Sequence, residues 1–311
     1  MEPLPKTSII IRAYNEEKHI GRLLQGIHSQ KTSCGFEVIL VDSGSTDNTV
    51  TLALKDGAKV VRIAPADFSF GYALNKGIEQ SKGELCVFIS AHCYPENTCW
   101  LENLTRPFRE DHSIALVYGK QRGNWITRYT EHQIFAKWFP DDGGGKQSSA
   151  FCNNANVAIR KALWHEQRYN EDLTGLEDID WAKRILSKGY AIYYAPDAGI
   201  IHVHDETFTQ VYRRYKREAM ALREIYPQES FTFIDFMKLF HLNALSDYIH
   251  AYQDGRLFGN VMDILFMRFL QFLGTYRGHA RPKPLSSDLK IKFYYPRRPH
   301  LFERGHSKGT E

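Results

Sequence analysis

The sequence predicts an α/β fold with a doubly wound, mostly parallel sheet, followed by a C-terminal helical extension. Three observations carry this. Short apolar runs recur along the first two thirds of the chain, and several end in a cluster of polar residues. Segments with helical spacing separate those runs. Beyond about residue 206 the strand-like runs cease and long helical patterns take over. Strands alternating with helices at this spacing build a parallel sheet with helices on both faces.

The elements follow in order. Residues 8–11 (SIII) form a β-branched strand, followed by Tyr14, Asn15, Glu16 and Glu17. Ile20, Leu23, Leu24 and Ile27 then stand at helical spacing. Residues 38–41 (VILV) are uninterruptedly apolar and stop at Asp42, Ser43, Gly44, Ser45, Thr46 and Asp47. A strand buried on both faces reads this way. Its polar end lies at the carboxyl edge of the sheet, where open α/β sheets bind ligands. Asp42 can accept hydrogen bonds from a base or a ribose, and Gly44 lets the backbone turn close to a ligand. Taken alone, the same residues are equally a strand, a turn and a helix cap at Ser45 or Asp47. Residues 48–55 predict a helix ended by Asp56-Gly57, 60–63 a strand, 70–80 a helix ended at Gly83, and 85–89 a strand. A helix after Trp100-Leu101 and a strand over 115–119 come next. Residues 122–147 are aromatic and charged, and 141–145 (DDGGG) read as a flexible loop. Strands are expected at 156–159, 191–194 and 199–203, with a helix at 178–187. Helices follow at 209–226, basic on one side, and at 231–252 and 257–276, rich in Phe, Leu and Met. The last two suit either core packing or a membrane interface. The expected division is 1–228 for the sheet domain, 229–280 for a helical region and 281–311 for a basic tail.

Composition narrows the classes. The 311 residues are 24% charged and 43% hydrophobic, ordinary for a globular protein. A net charge of +4 implies no nucleic-acid partner. The basic excess is local: Arg281, Lys283, Lys290, Lys292, Arg297, Arg298, Arg304 and Lys308 all fall in the tail. Such a segment is either a solvated tail or one drawn to phosphate-rich or anionic membrane surfaces. Five cysteines with no CxxC pair argue against a disulfide framework and for a reducing, cytoplasmic setting. The N-terminus MEPLPKTSII shows no signal peptide. No uninterrupted apolar run reaches about 18 residues, so no spanning helix is expected.

Four segments line up: SIIIRAYNEE at 8–17, VILVDSGSTDNT at 38–49, DFSFGYALNKGIEQSKGELCVFISAHCYP at 67–95, and GLEDIDWAKRILSKGYAIYYAPDAGIIHVH at 175–204. Together they resemble family 2 glycosyltransferases of the GT-A fold, nearest in flavour to bacterial rhamnosyltransferase-like members with a similar DFSxGxxxN segment. The resemblance covers roughly residues 6–226. It implies inverting transfer of a sugar from a nucleotide donor to an acceptor hydroxyl, in bacterial glycan or surface polysaccharide synthesis.

By that resemblance, Arg12, Tyr14 and Glu16 match a loop contacting base and ribose, and Asp42, with Ser43 beside it, matches the nucleotide-binding Asp. Asp67, Asn75 and Lys76 lie on or before a helix facing the donor. Leu74 stands where relatives often carry Arg, which removes one phosphate contact. Glu177-Asp178 matches the ED motif at a helix start. Asp178 is then the general base that takes the acceptor's proton, with Glu177 and Asp180 as alternatives. The FCNNAN segment at 151–156 matches the surroundings of the donor sugar and acceptor, where Asn153 and Asn154 can bind hydroxyls. Trp125, Trp138 and Trp181 are candidates for stacking on an acceptor sugar, or else core residues.

Ser90-Ala91-His92 departs from the pattern. The fold normally presents Asp-x-Asp there, or a single Asp, to hold a divalent cation against the diphosphate. His92 takes the ligand position, as in the similar Asp-x-His of polypeptide N-acetylgalactosaminyltransferases. Imidazole favours Mn²⁺, Fe²⁺ or Zn²⁺ over Mg²⁺, so Mn²⁺ is the expected cofactor. His202 and His204 alternate on a strand and so face one side. They either join His92 at a metal, His202 foremost, or donate directly to the diphosphate without one.

The expected partners are a nucleotide-sugar, a glycan or lipid-linked acceptor, and the inner face of a membrane through the C-terminal region. Two other classes compete. A sugar nucleotidyltransferase shares an α/β nucleotide core, but the ED base and the HxH strand disfavour it. A non-catalytic nucleotide-sugar-binding assembly protein is supported by the missing Asp-x-Asp and opposed by Asp178 with the histidines.

Overall fold

The computed structural model describes residues 6–32 and 35–280. Cys34 and the basic tail 281–311 lie outside the described residues. The chain divides into two compact units, one up to Asp205 and one from Glu206. This division differs from the expected boundary at 228, because the helix expected at 209–226 packs within the second unit.

In the first unit the strands are β1 (Thr7–Ala13), β2 (Phe36–Asp42), β3 (Lys59–Arg62), β4 (Leu85–Ser90), β5 (Cys93–Pro95), β6 (Ile114–Arg122), β7 (Gly145–Gln147), β8 (Asn156–Arg160) and β9 (Ala191–His202). They form one sheet of order β3-β2-β1-β4-β8-β6-β9-β5, with β7 pairing β9. β3, β2, β1 and β4 run parallel, as do β6 and β9. β8, β5 and β7 pair antiparallel.

Alternation along the strands builds two cores. Ile9 and Ile11, Leu40, Val87 and Ile89 point to one face. Ile10, Ile39 and Val41, Cys86 and Phe88 point to the other. Helices α1 (Glu17–His28), α2 (Thr49–Lys55) and α4 (Trp100–Glu110) cover the first face through Leu23, Leu24, Ala53 and Trp100. Helices α3 (Phe70–Glu79), α5 (Tyr129–Trp138), α6 (Lys161–Glu166) and α7 (Glu177–Ser187) cover the second through Leu74, Phe135, Trp164 and Trp181. The sheet is therefore doubly wound, as expected.

The segments expected as two short strands at 191–203 are one strand with a large bulge. Gly119 pairs with Ala195 and Gln121 with Ile200, so residues 196–199 stand opposite Lys120 alone. Asn156, fully buried, closes this gap. Its amide donates to the carbonyls of Lys120 (3.0 Å) and Ala198 (2.7 Å), and accepts from the Trp100 indole (2.9 Å). Gly119 is required here, since a Cβ would lie 2.2 Å from the Ala198 carbonyl. The aromatic and charged segment 122–147, in which only 141–145 was read as a loop, contains α5 and β7, which its mixed composition concealed.

The second unit holds α8 (Phe208–Ile225), α9 (Phe233–Gln253) and α10 (Leu257–His279). Capping boxes at Thr207/Gln210 and Thr232/Asp235 start α8 and α9. Arg268 of α10 makes a buried bidentate pair with Asp247 of α9, at 2.8 and 2.9 Å. By length and composition α10 is long and apolar enough to cross a membrane, and 22% of its apolar stretch is buried. This corrects the expectation of no spanning-length helix: Asn260, Asp263, Arg268 and Gln271 interrupt the run without making it polar on average. Ile234, Leu242, Leu245, Ile249 and Tyr252 of α9 are exposed apolar residues at helical spacing, as are Phe258, Met262, Phe266 and Phe269 of α10.

Asn156→Leu is expected to lower the unfolding free energy by about 3 kcal/mol, because three buried polar groups lose their partner at about 1–3 kcal/mol each. Urea denaturation reads this, and a loss under about 1 kcal/mol would show that Asn156 does not hold the bulge.

Candidate active site

The carboxyl ends of β1, β2, β4, β6 and β9 and the start of β8 share one edge of the sheet, and the predicted residues gather along it. At the end of β2, the Asp42 carboxylate accepts from the backbone N–H groups of Gly44 (3.2 Å) and Ser45 (3.1 Å). Those bonds shape its own turn, and a carboxylate retains further lone pairs for a ligand. Gly44 has φ +94°, and a Cβ there would meet the Pro65 ring at 2.6 Å. Ser43 is buried and bonds to the Ala13 carbonyl. An open groove of about 420 Å³ lies beside this turn, lined by Asp42, Gly44, Ser45 and Arg62 among others.

The loop after β1 is knitted to the loop after β2. Asn15 adopts φ +55°. Its side chain accepts from the Thr46 N–H at 2.8 Å, and its own N–H donates to the Ser45 hydroxyl at 2.9 Å. Tyr14 is half-buried in this loop. Asp67 is exposed on a 3₁₀ turn, Pro65–Asp67.

Beyond Ser90, the last residue of β4, three histidines meet. Nε2 of His202 lies 3.1 Å from Nε2 of His92 and 3.1 Å from Nε2 of His204. Each ring is held from behind. His92 Nδ1 donates to Glu16 (2.9 Å), His202 Nδ1 to the Gln121 amide oxygen (2.8 Å) and His204 Nδ1 to Glu131 (2.6 Å). Glu16 therefore holds a histidine, in addition to its expected place in the nucleotide loop. Sequence reasoning missed Gln121 and Glu131. Gln121 lies beyond the expected end of its strand at 119, and Glu131 lies on the unrecognised α5.

The acid pair stands at the start of α7. Glu177 is buried, and its Oε1 accepts from Arg12 (3.1 Å) and from the Asn154 amide (3.1 Å). Asp178 accepts from the backbone N–H groups of Asn154 (3.0 Å) and Ile179 (2.8 Å). Leu176, just before the pair, has φ +55°. A bulky residue in the left-handed region costs of order 1 kcal/mol, and such strain collects at functional sites. Burial first, and the Glu177 charge second, push the Asp178 carboxyl up to about 7. Asp180, the other alternative, pairs with Arg184 at 2.8 Å. Asn153 closes a turn onto the Ala155 N–H at 3.0 Å.

Several expected contacts are spent elsewhere. Arg12 is committed to Glu177 and lies over the Phe70 ring. Asn75 is fully buried; it donates to Tyr169 O and Glu171, and accepts from Trp164 Nε1 and Tyr169 N. Its amide is used up in tethering α3, which corrects the expectation that it faces the donor. Lys76 pairs with Glu79 at 3.0 Å. Trp181 is fully buried with its indole on the Gln167 carbonyl, so it is core and cannot stack on a sugar. Trp125 is 92% exposed, and Trp138 stacks on Phe151.

Such a sheet edge, with a turn-bound Asp, a histidine cluster and a buried acid pair, has the plan of a GT-A nucleotide-sugar transferase. The glycosyl transferase family 2 model matches residues 8–170. The chain belongs to that family and is a glycosyltransferase. It is 26% identical over 227 residues to the O-antigen chain rhamnosyltransferase WbaN of Salmonella anatum, covering 68% of this chain and 70% of the relative. The mannosyltransferase PcManGT of Pyrobaculum calidifontis, solved with GDP-Man and Mn²⁺, shares the fold at TM-score 0.57 and 16% identity, over 96% of this chain and 89% of that one. Glucosyl-3-phosphoglycerate synthase of Mycobacterium tuberculosis, solved with Mn²⁺, UDP and glucosyl-3-phosphoglycerate, aligns at TM-score 0.52 and 22% identity, over 71% and 80%.

Folding raises the Asp178 pKa above its ordinary value of about 3.9. Its contribution to stability is therefore present at low pH and lost as pH rises through about 7. A ¹³C-carboxyl titration of the folded protein is expected to place the Asp178 midpoint near 7. Glu177→Gln should lower that midpoint by removing the neighbouring charge, and an unmoved midpoint would show that burial acts alone.

Proposed function

We propose that this glycosyltransferase transfers sugar with inversion, with Asp178 as general base. The observation that carries this reading is the buried acid pair at the start of α7, where Asp178 is held by the N–H groups of Asn154 and Ile179 beside Glu177; burial and the Glu177 charge raise its pKa. Asp178 can take a proton near neutral pH and remains basic enough to assist attack. The acceptor hydroxyl loses its proton to Asp178 while its oxygen bonds to the anomeric carbon. The bond from that carbon to the diphosphate oxygen breaks, and the electron pair leaves with the nucleoside diphosphate. Attack from the face opposite the leaving group inverts the centre. Arg12 and Asn154 position Glu177, and Asn154 also positions Asp178 through its N–H.

The donor nucleoside is assigned to Asp42 and the groove beside it, with Ser43 and Tyr14 in the adjoining loops, and its diphosphate to Ser90, His92, His202 and His204. A divalent cation, Mn²⁺ before Mg²⁺, fits those imidazoles; when bound it supplies positive charge that stabilises the leaving diphosphate. Asn153 takes sugar or acceptor hydroxyls. The acceptor is a glycan or lipid-linked glycan of a bacterial surface polysaccharide, in keeping with the O-antigen naming of WbaN. The exposed apolar residues of α9 and α10 support contact with the inner face of an anionic membrane. The tail that follows in sequence carries eight Lys and Arg against three Asp and Glu, and apolar area combined with basic charge is what such surfaces bind.

With a nucleotide-sugar found by thermal-shift screening, Asp178→Asn is expected to lose about 10²–10⁴-fold in turnover while still binding the nucleoside diphosphate. Undiminished turnover would sink the general-base assignment. The anomeric configuration of the product, read by NMR, tests inversion. Flotation with phosphatidylglycerol vesicles should carry the full chain upward, and Ile234→Asp with Phe258→Asp should leave it behind. Equal flotation of both forms would exclude those apolar residues as the contact.

A further inference from the structure

The segment 67–75 leads into α3 and resembles a donor-facing motif, but the polar capacity of Asn75 is committed elsewhere. Asn75 is fully buried. Its Nδ2 donates to the Tyr169 carbonyl at 3.0 Å and to Glu171 Oε1 at 2.7 Å. Its Oδ1 accepts from Trp164 Nε1 at 2.8 Å and from the Tyr169 N–H at 3.2 Å. A carboxamide has two N–H donors and two acceptor lone pairs, so all four are in use and none is left for a nucleotide-sugar. Three of the four bonds go to residues 169–171, in the connection between α6 and α7. That connection ends at Leu176, with φ +55°, immediately before Glu177 and Asp178.

We infer that Asn75 is a positioning residue for Asp178, acting through the 167–176 connection, so that α3 serves the acid pair rather than the donor. Tyr169 is the link. Asn75 holds its backbone on both sides, N–H and carbonyl. The Tyr169 ring lies 5.7 Å from the Trp181 ring, one turn along α7 from Asp178. Trp181 bonds back to the Gln167 carbonyl through its indole at 2.6 Å, so α7 is tied to the same connection. Burial pushes the Tyr169 phenol well up, and the neighbouring Cys152, Glu177 and Asp178 add to it, which sets the ring beside the acids. At Gly71 a Cβ would lie 2.2 Å from the Asn170 carbonyl, so the α3 backbone presses directly on the connection. Phe70, the first residue of α3, lies under the Arg12 guanidinium, 4.9 Å from its ring centroid, and that guanidinium pairs with Glu177. The helix thus supports Asp178 through Asn75 and Tyr169, and Glu177 through Phe70 and Arg12. Support of this kind matters to rate, because a reacting group misplaced by about 1 Å costs on the order of 10²-fold.

The role of Asn75 in catalysis rests on Asp178 being the general base, but its first readout needs the protein alone. In folded full-length protein the Asp178 carboxyl is titrated by ¹³C NMR, together with the amides of Asn154 and Ile179 that donate to it. Burial is the first cause of the raised Asp178 pKa, so loosening the connection admits water and lowers the midpoint. The other titratable groups facing Asp178 are Glu177, Arg12 and the buried Cys152 and Tyr169, and substituting Asn75 leaves all four in the chain. Asn75→Ala is expected to lower the midpoint by about one pH unit. Asn75→Ser, which keeps a hydroxyl and leaves room for a bridging water, should shift it the same way and takes over where the alanine variant does not fold. Ile39→Ala, in the same core but on β2, should lower the unfolding midpoint without moving Asp178. Glu171→Gln, which keeps an oxygen toward Asn75, should leave the Asp178 midpoint in place. With the donor found by thermal-shift screening, Asn75→Ala should lose about 10–10²-fold in kcat at an unchanged KM for the donor. An unmoved Asp178 midpoint in folded Asn75→Ala or Asn75→Ser, an equal shift in Ile39→Ala, or a raised donor KM at unchanged kcat would overturn the assignment. A shifted midpoint alongside undiminished turnover in Asp178→Asn would keep the positioning by Asn75 and remove the base. An inactive Asp178→Asn alongside an unmoved midpoint in Asn75→Ala would do the reverse.

Discussion

The site depends on one amide. Asn156 holds together Lys120 of β6, the bulge at Ala198 of β9 and Trp100 of α4. Four residues of β9 stand opposite one of β6 at this point. The three extra residues are an odd number, so they reverse the side toward which the following side chains point. His202 consequently lies against Gln121, His92 and His204. A bulge unsupported inside a sheet would expose buried carbonyls, and the Asn156 amide satisfies two of them at once. The histidine cluster is therefore a product of strand register as much as of residue type.

A second constraint ties the two halves of the edge together. Arg12 stands near the end of β1, which leads into the loop of Tyr14 to Glu16, yet its guanidinium is spent on Glu177 of α7. Glu16, four residues further on, reaches His92. One strand thus supports the acid pair with its last turn inward and the imidazoles with the loop that follows. The loop's geometry is held by Asn15 at positive φ and by its bonds to Ser45 and Thr46. Asn tolerates that conformation better than most residues because its short polar side chain bonds locally.

Much of this was legible in the sequence, for physical reasons that also set the limits. Buried parallel strands must be apolar, so 8–11, 38–41 and 85–89 announced themselves, and their polar ends marked the ligand edge. His202 and His204 were legible as a pair because strand alternation puts them on one side. What alternation could not say is which partners stand behind them. Gln121 and Glu131 are ordinary polar residues until the sheet and α5 bring them to the rings. Asn75 and Trp181 illustrate the converse. Each lies on a helix near the site, and only the packing reveals that one is saturated by Trp164, Tyr169 and Glu171 and the other sealed over Tyr169. The boundary near 205 was hidden because α8 reads as an amphipathic helix that either unit could bury.

The division of labour between the two adjacent acids follows from their neighbours. Both are buried, and both sit at a helix start, where the helix dipole favours negative charge. Glu177 has in addition a full cation, Arg12, at 3.1 Å, together with a side-chain amide. Asp178 has two neutral backbone donors and a weaker pull from the more distant Arg12, set against burial and the charge of Glu177 beside it. Two like charges in a poorly screened site cannot both be comfortable. The upward shift therefore falls on the member without the direct ion pair. Exchanging Glu177 and Asp178 in sequence would not exchange their roles cleanly, because Arg12 approaches from β1 toward the first position. The geometry of β1, rather than the identity of either acid, decides which of the two carboxyls is paired with a cation and which is pushed upward.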